Sequence, residues 1–312
     1  MSSHPDPRSV AMRSLKVDTV TAEVVDALRE QGVDPILMKG PLTQSLYPKG
    51  EVRSYNDTDL MVAPPMFEQA VKTLKHLGFE AKRAGVLPGV GGFAPHAVTF
   101  IRSDKASIDL HRALPLVRSS PDACWAALQR LTQEVRVAGV SVRAFSPPAQ
   151  AFQLAVHIVQ HPGIEKNRRE LALAIANITL ADWRMAGDLA HTIQGEDAFA
   201  EGLSKSSEGL VILNALGIEP PKTNTIVAAA GVQGFRWLGK QVEGTSSLRE
   251  RAALFGRLLV PRPDFMRQVS RLARANAVGL VLAYLLRPFV LAYRLGLAVR
   301  HLFGTRADTP AE

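Results

Sequence analysis

Three carboxylates and one lysine carry the strongest chemical signal in this chain. Asp57 and Asp59 stand two residues apart in NDTDLMV. A strand alternates its side chains between two faces, so residues i and i+2 point the same way. Two acids side by side on one face repel each other unless a cation sits between them. A third acid, Asp109 in SIDLH, falls on a second predicted strand. Its alternation places Asp109 and His111 on one face and Ile108 and Leu110 on the other. Upstream, Lys39-Gly40 follows the short apolar run Ile36-Leu37-Met38, and Pro41 opens a short helix. Amides exposed after Gly40 would receive a phosphate, and a glycine lets the backbone approach closely. Mg²⁺ is hard, prefers oxygen ligands, and is usually held by carboxylates together with phosphate oxygens. Two such ions can stabilise the attacking and leaving oxygens of an in-line displacement at phosphorus.

The elements that must hold these residues follow from hydrophobic spacing. Val17, Val20, Val24, Val25 and Leu28 recur at helical intervals until Gly32 ends the helix. Residues 1–13 before it are expected to be a disordered lead-in. Residues 36–38 form a buried strand, residues 41–47 a short helix that tolerates Pro in its first turn, and residues 60–62 a second strand. An amphipathic helix covers 67–77 and stops at Gly78. Residues 98–102 and 106–111 read as a hairpin around Ser103-Asp104-Lys105, and 135–137 with 140–144 as another around Ala138-Gly139. Strand signals cease at Ser146-Pro147-Pro148. Helices are predicted beyond it, over 149–160, 168–192, 199–216 and from 225 onward. The expected fold class is α+β, with a head of mixed sheet and helices over 14–146, an all-α region over 147–304 and a tail over 305–312.

The order Leu37-Met38-Lys39-Gly40, Leu46-Tyr47, Arg53-x-x-x-Asp57-x-Asp59-Leu60-x-Val62 and Asp109-x-His111 resembles a bacterial nucleotidyltransferase family. That family belongs to the DNA polymerase beta-like superfamily, whose members carry a minimal nucleotidyltransferase head. The resemblance covers the head and, more loosely, the helical region from Pro148. It implies that Asp57 and Asp59 are metal ligands and that Asp109 is a ligand or the base for an acceptor hydroxyl. It further implies Mg²⁺ or Mn²⁺ as cofactor and a nucleoside triphosphate as substrate, with Lys39 and Gly40 at its phosphates. The superfamily's broader signature has Gly-Ser where this chain has Lys39-Gly40, which replaces a hydroxyl by a point charge. Arg53 either reaches phosphate or braces the acids, and His111, with His96, lines the pocket.

Other candidates are weaker. LPGVGGFAP, residues 87–95, lacks the strand–glycine–helix context of a dinucleotide site and suits a loop beside the active site. His157 and His161 stand at i, i+4, but no glutamate completes a zinc-protease pattern and Pro162 ends the helix, so packing or pocket-lining roles are expected. Cys124 has no neighbour in sequence that would lower its pKa and reads as buried.

Composition supplies the frame. With 312 residues, 46% hydrophobic and 21% charged, the chain can bury a substantial core. One cysteine excludes an internal disulfide framework and, with no apolar leader at the N-terminus, points to the cytoplasm. The net charge of +8 is uneven: Arg249–Arg306 holds eleven Arg, no Lys and two acids, Glu250 and Asp264, hence +9, which leaves −1 for the rest. Arg267, Arg271 and Arg274 share one helical face, as do Arg287, Arg294 and His301. The apolar run 277–286, interrupted at Arg287-Pro288, is shorter than the roughly 20 residues that span a bilayer. Packing on the head, contact with anionic lipid and RNA binding all remain open for this tail, and sparse aromatic residues argue against the last.

The expected activity is metal-dependent transfer of a nucleotidyl group to a hydroxyl or phosphate acceptor, with release of pyrophosphate. A small molecule or peptide is favoured as acceptor over RNA, and peripheral membrane contact falls to the basic tail. A catalytically inactive binding module, or a membrane-associated scaffold, is the alternative.

Overall fold

The computed structural model describes residues 7–82, 96–160, 164–220, 260, 263, 266–267, 270, 272–273 and 276–304. They fall into two units, one holding the sheet and the helices up to residue 220, the other the C-terminal segment.

The chain enters through α1 (Pro7–Glu30), which closes at Gly32, where φ is +73°. Residues 7–13, expected within a disordered lead-in, are helical instead. Val10 is buried, and the hydroxyl of buried Ser14 one turn on donates to the Arg53 carbonyl, so burial begins earlier than the valine stripe suggests. Then follow β1 (Ile36–Leu37), α2 (Pro41–Gln44), β2 (Thr58–Met61), a 3-10 turn over Pro64–Met66, and α3 (Phe67–His76). The short strands β3 (Glu80–Ala81), β4 (Ala97–Ile101) and β5 (Ser107–His111) come next. A helix with no expectation from sequence, α4 (Pro121–Leu128), starts on a Ser120 cap and a first-turn proline and buries Cys124. The hairpin β6 (Thr132–Val137) and β7 (Val140–Phe145) completes a seven-stranded sheet of order β3-β4-β5-β2-β1-β7-β6.

Register decides where the acids go. β2 lies parallel to β5 with Asp59 opposite Asp109 and Met61 opposite His111, while β1 runs antiparallel to β2 with Leu37 opposite Leu60. The Met38 amide donates to the Asp59 carbonyl, so the chain stays in line up to Lys39. On the other face of β2, Thr58 meets α1 through a 2.7 Å hydrogen bond to Thr21.

The change from strand to helix falls at Ser146–Pro147, as expected, but the helices that follow belong to the same compact unit as the sheet. They are α5 (Pro147–Gln160), α6 (Glu165–Asn177), α7 (Leu180–Thr192), α8 (Glu196–Leu203) and α9 (Ser207–Leu216). Two of the predicted long helices are each broken in two, because Thr179 and Ser206 cap new starts by accepting from the amides of Asp182 and Gly209. Phe152, Trp183 and Phe199 join α5, α7 and α8 in a buried aromatic cluster.

In the second unit, α10 (Ala277–Gly304) contains Pro288 within the helix. Leu280, Ala283 and Tyr284 pack with Met266 and Ala273. Arg287 is buried beside the Met266 sulfur. Val278, Val281, Leu285, Phe289 and Tyr293 of the same helix are exposed. Among the described residues, no helix is long and apolar enough to cross a membrane. The side chains of Arg271, Arg274, Arg294 and His301, placed on two basic faces by spacing, lie outside the described residues, as do residues 87–95 and His161.

Candidate active site

Gly40 takes φ +71° between β1 and α2, a conformation that L side chains rarely adopt, and a Cβ there would meet the Tyr55 ring at 3.6 Å. This sharp turn lets Lys39 leave the sheet edge-on and reach Asp59, with Nζ 3.5 Å from Oδ1. His111, two residues past Asp109 and on the same face, places Nε2 3.1 Å from that same oxygen. Asp59 is 6% exposed. Burial alone would raise its pKa, but the Lys39 ammonium and the His111 hydrogen bond overcome it and hold the carboxyl well below the usual range. Asp59 is therefore a fixed anion.

Asp59, Asp109 and His111 bring one ligand atom each within 4.8 Å of one another. The Asp109 Oδ1 and His111 Nδ1 atoms are buried with no hydrogen-bond partner. A buried acceptor without a donor is costly, and a cation would satisfy it. The donor set fits a hard divalent ion, and one imidazole beside two carboxylates leans it toward Mn²⁺ as readily as Mg²⁺.

Asp57 stands apart from that trio. It precedes the first residue of β2 and is exposed. Partial desolvation, followed by the charges of Asp59 and Asp109, pushes its carboxyl above the ordinary value, against the pull of Lys39 and Arg53. Three acids thus share one field, with the deepest fully charged and the outermost resisting charge.

Arg53 is neither a surface ion pair nor simply aimed at the acids. It is 6% exposed, and its Nε and Nη2 lie 2.7 and 3.4 Å from the carboxylate of Glu170 on α6. Its Nη1 is buried without a hydrogen-bond partner, and its guanidinium lies over the Tyr55 ring. Glu170 also accepts from the Tyr47 hydroxyl, and Lys166 donates to the Ser54 carbonyl. Helix α6 therefore clasps the loop that leads into Asp57. Sequence reading missed Glu170 and Lys166: the predicted helix begins at 168, after Lys166, and the partners of both lie more than a hundred residues away.

Of the remaining candidates, His96 stacks obliquely on His111 with ring centroids 5.8 Å apart. The charge of His157 is felt by Asp59. Burial pushes the Cys124 thiol up to about 12, which leaves it unreactive.

Comparison with known proteins bears on the family. The sequence model of a family described as uncharacterised nucleotidyltransferase matches residues 6–174. No curated protein matches the chain. Among solved structures, the antibiotic-resistance factor ANT(2'')-Ia is similar at 13% identity and TM-score 0.41, over 56% of this chain and 91% of that one. The lincosamide antibiotic adenylyltransferase LnuA is similar at 14% and 0.33, over 52% and 96%. An antigenic nucleotidyltransferase-like protein from Paracoccidioides brasiliensis is similar at 17% and 0.37, over 67% and 95%.

Proposed function

The chain belongs to the family of uncharacterised nucleotidyltransferases, and from that premise we propose that it transfers a nucleotidyl group from a nucleoside triphosphate to an acceptor hydroxyl or phosphate. The observation that carries this reading is the Asp59–Asp109 register, which gathers two acids and His111 around a buried, unpartnered carboxylate oxygen. In the reaction, the acceptor oxygen bonds to the α-phosphorus and the bond to the bridging oxygen breaks. Pyrophosphate departs with that electron pair, and the acceptor proton passes to a carboxylate, for which Asp109 is the candidate. Asp59 and Asp109 would hold the metal, with His111 as a ligand or as the group that orients Asp59. When bound, Mg²⁺ or Mn²⁺ supplies positive charge to the triphosphate and to the leaving pyrophosphate. Asp57 would join the ligands once substrate brings a cation near it. Lys39 contributes a compact point charge toward the phosphates, Gly40 a close backbone approach, and Arg53 its spare Nη1.

The test is transfer itself. The protein is incubated with Mg²⁺ or Mn²⁺ and each α-labelled triphosphate in turn, with cell extract as acceptor source. Label should move to an acceptor as pyrophosphate appears, and Asp59→Ala with Asp109→Ala should remove both. Absence of transfer combined with tight, metal-dependent triphosphate binding would favour an inactive binding module.

A second reading concerns α10. Its exposed Val281, Leu285 and Phe289, in a helix whose sequence has three arginines and no acid, suit an anionic membrane surface. The intact protein should float with phosphatidylserine vesicles, and Val281→Glu with Phe289→Glu should abolish flotation. Equal flotation of the two removes this reading.

A further inference from the structure

On the face of the sheet away from Asp59, a cavity of about 350 Å³ lies between α1, the start of β2 and the turn from β4 to β5. Val20, Thr58 and Ala106, all buried, form its floor. Exposed Arg13, Lys16, Asp104 and Lys105 stand around it. Neither the three acids nor Lys39 nor His111 lines it. We propose that this cavity binds a small phosphate monoester, with the phosphate among the cations and the organic body on the floor.

The charges in the lining are unequal, and the one acid is already engaged. Arg102 holds the two carboxylate oxygens of Asp104 at 3.3 and 3.4 Å, and the Ala106 amide donates to one of them at 3.1 Å. Lys16 lies 3.6 Å from the same carboxylate and donates to the Asp104 carbonyl at 2.6 Å. Arg13, by contrast, reaches only a neutral acceptor, the Asn56 Oδ1 at 3.5 Å. Lys105 has no ion-pair partner among the described residues. Two cations thus lack a counter-charge, and a phosphate monoester carries about −1.5 to −2 at pH 7, with oxygens that accept charge-assisted hydrogen bonds. With its oxygen turned to Arg13, the Asn56 side chain keeps its amide hydrogens to donate. An amine or a metal ion would find only a carboxylate that Arg102 and Lys16 already share.

Size and surroundings narrow the ligand further. The volume falls at the lower end of small-molecule sites, about 300–1,000 Å³, and exceeds what a bare phosphate fills. The apolar floor, with Val17 beside it, suits an organic body. Outside Arg249–Arg306 the chain carries close to no net charge, a poor match for a nucleic-acid backbone, which recruits several cations at once. Asn56 and Thr58 line the cavity and stand on either side of Asp57 in the sequence, so an occupant would bear on the segment that holds the outer carboxylate.

The experiment titrates the full chain, in EDTA and low salt, with inorganic phosphate, ribose 5-phosphate and AMP, and reads binding by calorimetry. Ribose 5-phosphate or AMP should bind saturably at one site per chain and more tightly than inorganic phosphate. Arg13→Gln combined with Lys105→Gln removes two exposed cations and should weaken ester binding at least tenfold. Asn56→Asp sets a carboxylate beside Arg13 with little change of shape and should weaken it as well. Lys39→Gln, at the acids, should leave it within twofold. Circular dichroism on each variant checks that the fold is kept. Absence of saturable binding by all three probes would overturn the inference. So would affinity unmoved in both lining variants, or a loss with Lys39→Gln equal to theirs, which would put the phosphate at the acids. A single-stranded RNA oligonucleotide is run in parallel. Binding of that RNA through Arg13 and Lys105, with no displacement by either ester, would make the cavity a nucleic-acid contact and overturn the inference too. These titrations involve neither metal nor transfer, so their result is independent of the proposed function.

Discussion

Replacing Glu170 by alanine should destabilise the sheet-bearing unit far more than an ordinary helix substitution. Glu170 is 2% exposed and holds Arg53, itself 6% exposed, through contacts of 2.7 and 3.4 Å, while also accepting from Tyr47 at 3.2 Å. Neither charge has solvent to fall back on. Removing the carboxylate leaves a buried guanidinium without its counter-charge, an effect of about 3–5 kcal/mol. Typical domains are stable by only about 5–15 kcal/mol, so the loss takes about a fifth or more of the total. With a urea slope of about 2–3 kcal/mol/M, the unfolding midpoint should fall by about 1–2.5 M at unchanged slope. Helical circular dichroism during urea titration reads it directly. A control separates charge from packing. Arg53→Met combined with Glu170→Leu replaces the pair by apolar groups of similar size, and such exchanges are often neutral or stabilising. The double variant should therefore recover most of the midpoint yet transfer nucleotide at least tenfold more slowly, because Nη1 has gone with the guanidinium. A shift below about 1 kcal/mol in Glu170→Ala would show that the pair is not the clasp between α6 and the loop before Asp57. A double variant as unstable as the single would show that the loss was one of packing.

Two further outcomes follow from the charge distribution. Asp57→Asn should raise the unfolding temperature of the metal-free protein, by up to about 1 kcal/mol in stability for an exposed charge. The sign comes from the raised pKa of Asp57: folding favours its protonated form, so its contribution is largest in acid and lost as pH rises, and the asparagine stays neutral throughout. The same substitution should shrink the gain in unfolding temperature that Mn²⁺ and triphosphate give the wild type, and a metal-free protein no more stable than wild type would refute the repulsion argument. Tyr47 is pushed up to about 12 by burial and by the Glu170 charge. The folded chain therefore keeps that proton after an unfolded tyrosine has released it near pH 10, so stability should decline between about pH 10 and 12. Glu170→Gln should move the ultraviolet titration of Tyr47 to lower pH, with Tyr47→Phe identifying the signal.

What could be read from sequence was what depends on local period and on turn chemistry. Alternation in SIDLH placed Asp109 and His111 on one face, because a strand's two-residue period admits no other arrangement once Ile108 and Leu110 are buried. The turn at Gly40 was visible for the same kind of reason, since a glycine before Pro41 marks a break that few other residues permit. The register itself was not visible. Nothing local sets Asp59 opposite Asp109 across fifty residues, nor tells a parallel pairing from an antiparallel one. Helix breaks at Thr179 and Ser206 were legible as capping residues but were overridden by continuous helical spacing on either side. The largest omission was α6, since the partners of its buried acid arise only when the helical region folds against the loop at Arg53.

That omission changes how the site is to be understood. A head that bound metal and triphosphate by itself would need from its helices only an acceptor wall. In this chain the loop leading into Asp57 is tied to α6 at Arg53, Ser54 and Glu51, through Glu170, Lys166 and Arg169 respectively. Two of these six residues are coupled by charge to Asp57: Arg53 pulls on it, and it acts in turn on Lys166. Placement of the outermost carboxylate is thereby linked to the packing of α6. A cavity beside Lys39 is walled by α5, the next helix back in the chain. Two consecutive helices thus border the residues around the acids, and a shift of α5 against α6 would be felt at Asp57 before it was felt at the buried Asp59. The outer carboxylate, with its raised pKa and exposed position, is the member of the trio of acids that such a shift could move, while Asp59, pinned by Lys39 and His111, would hold its place.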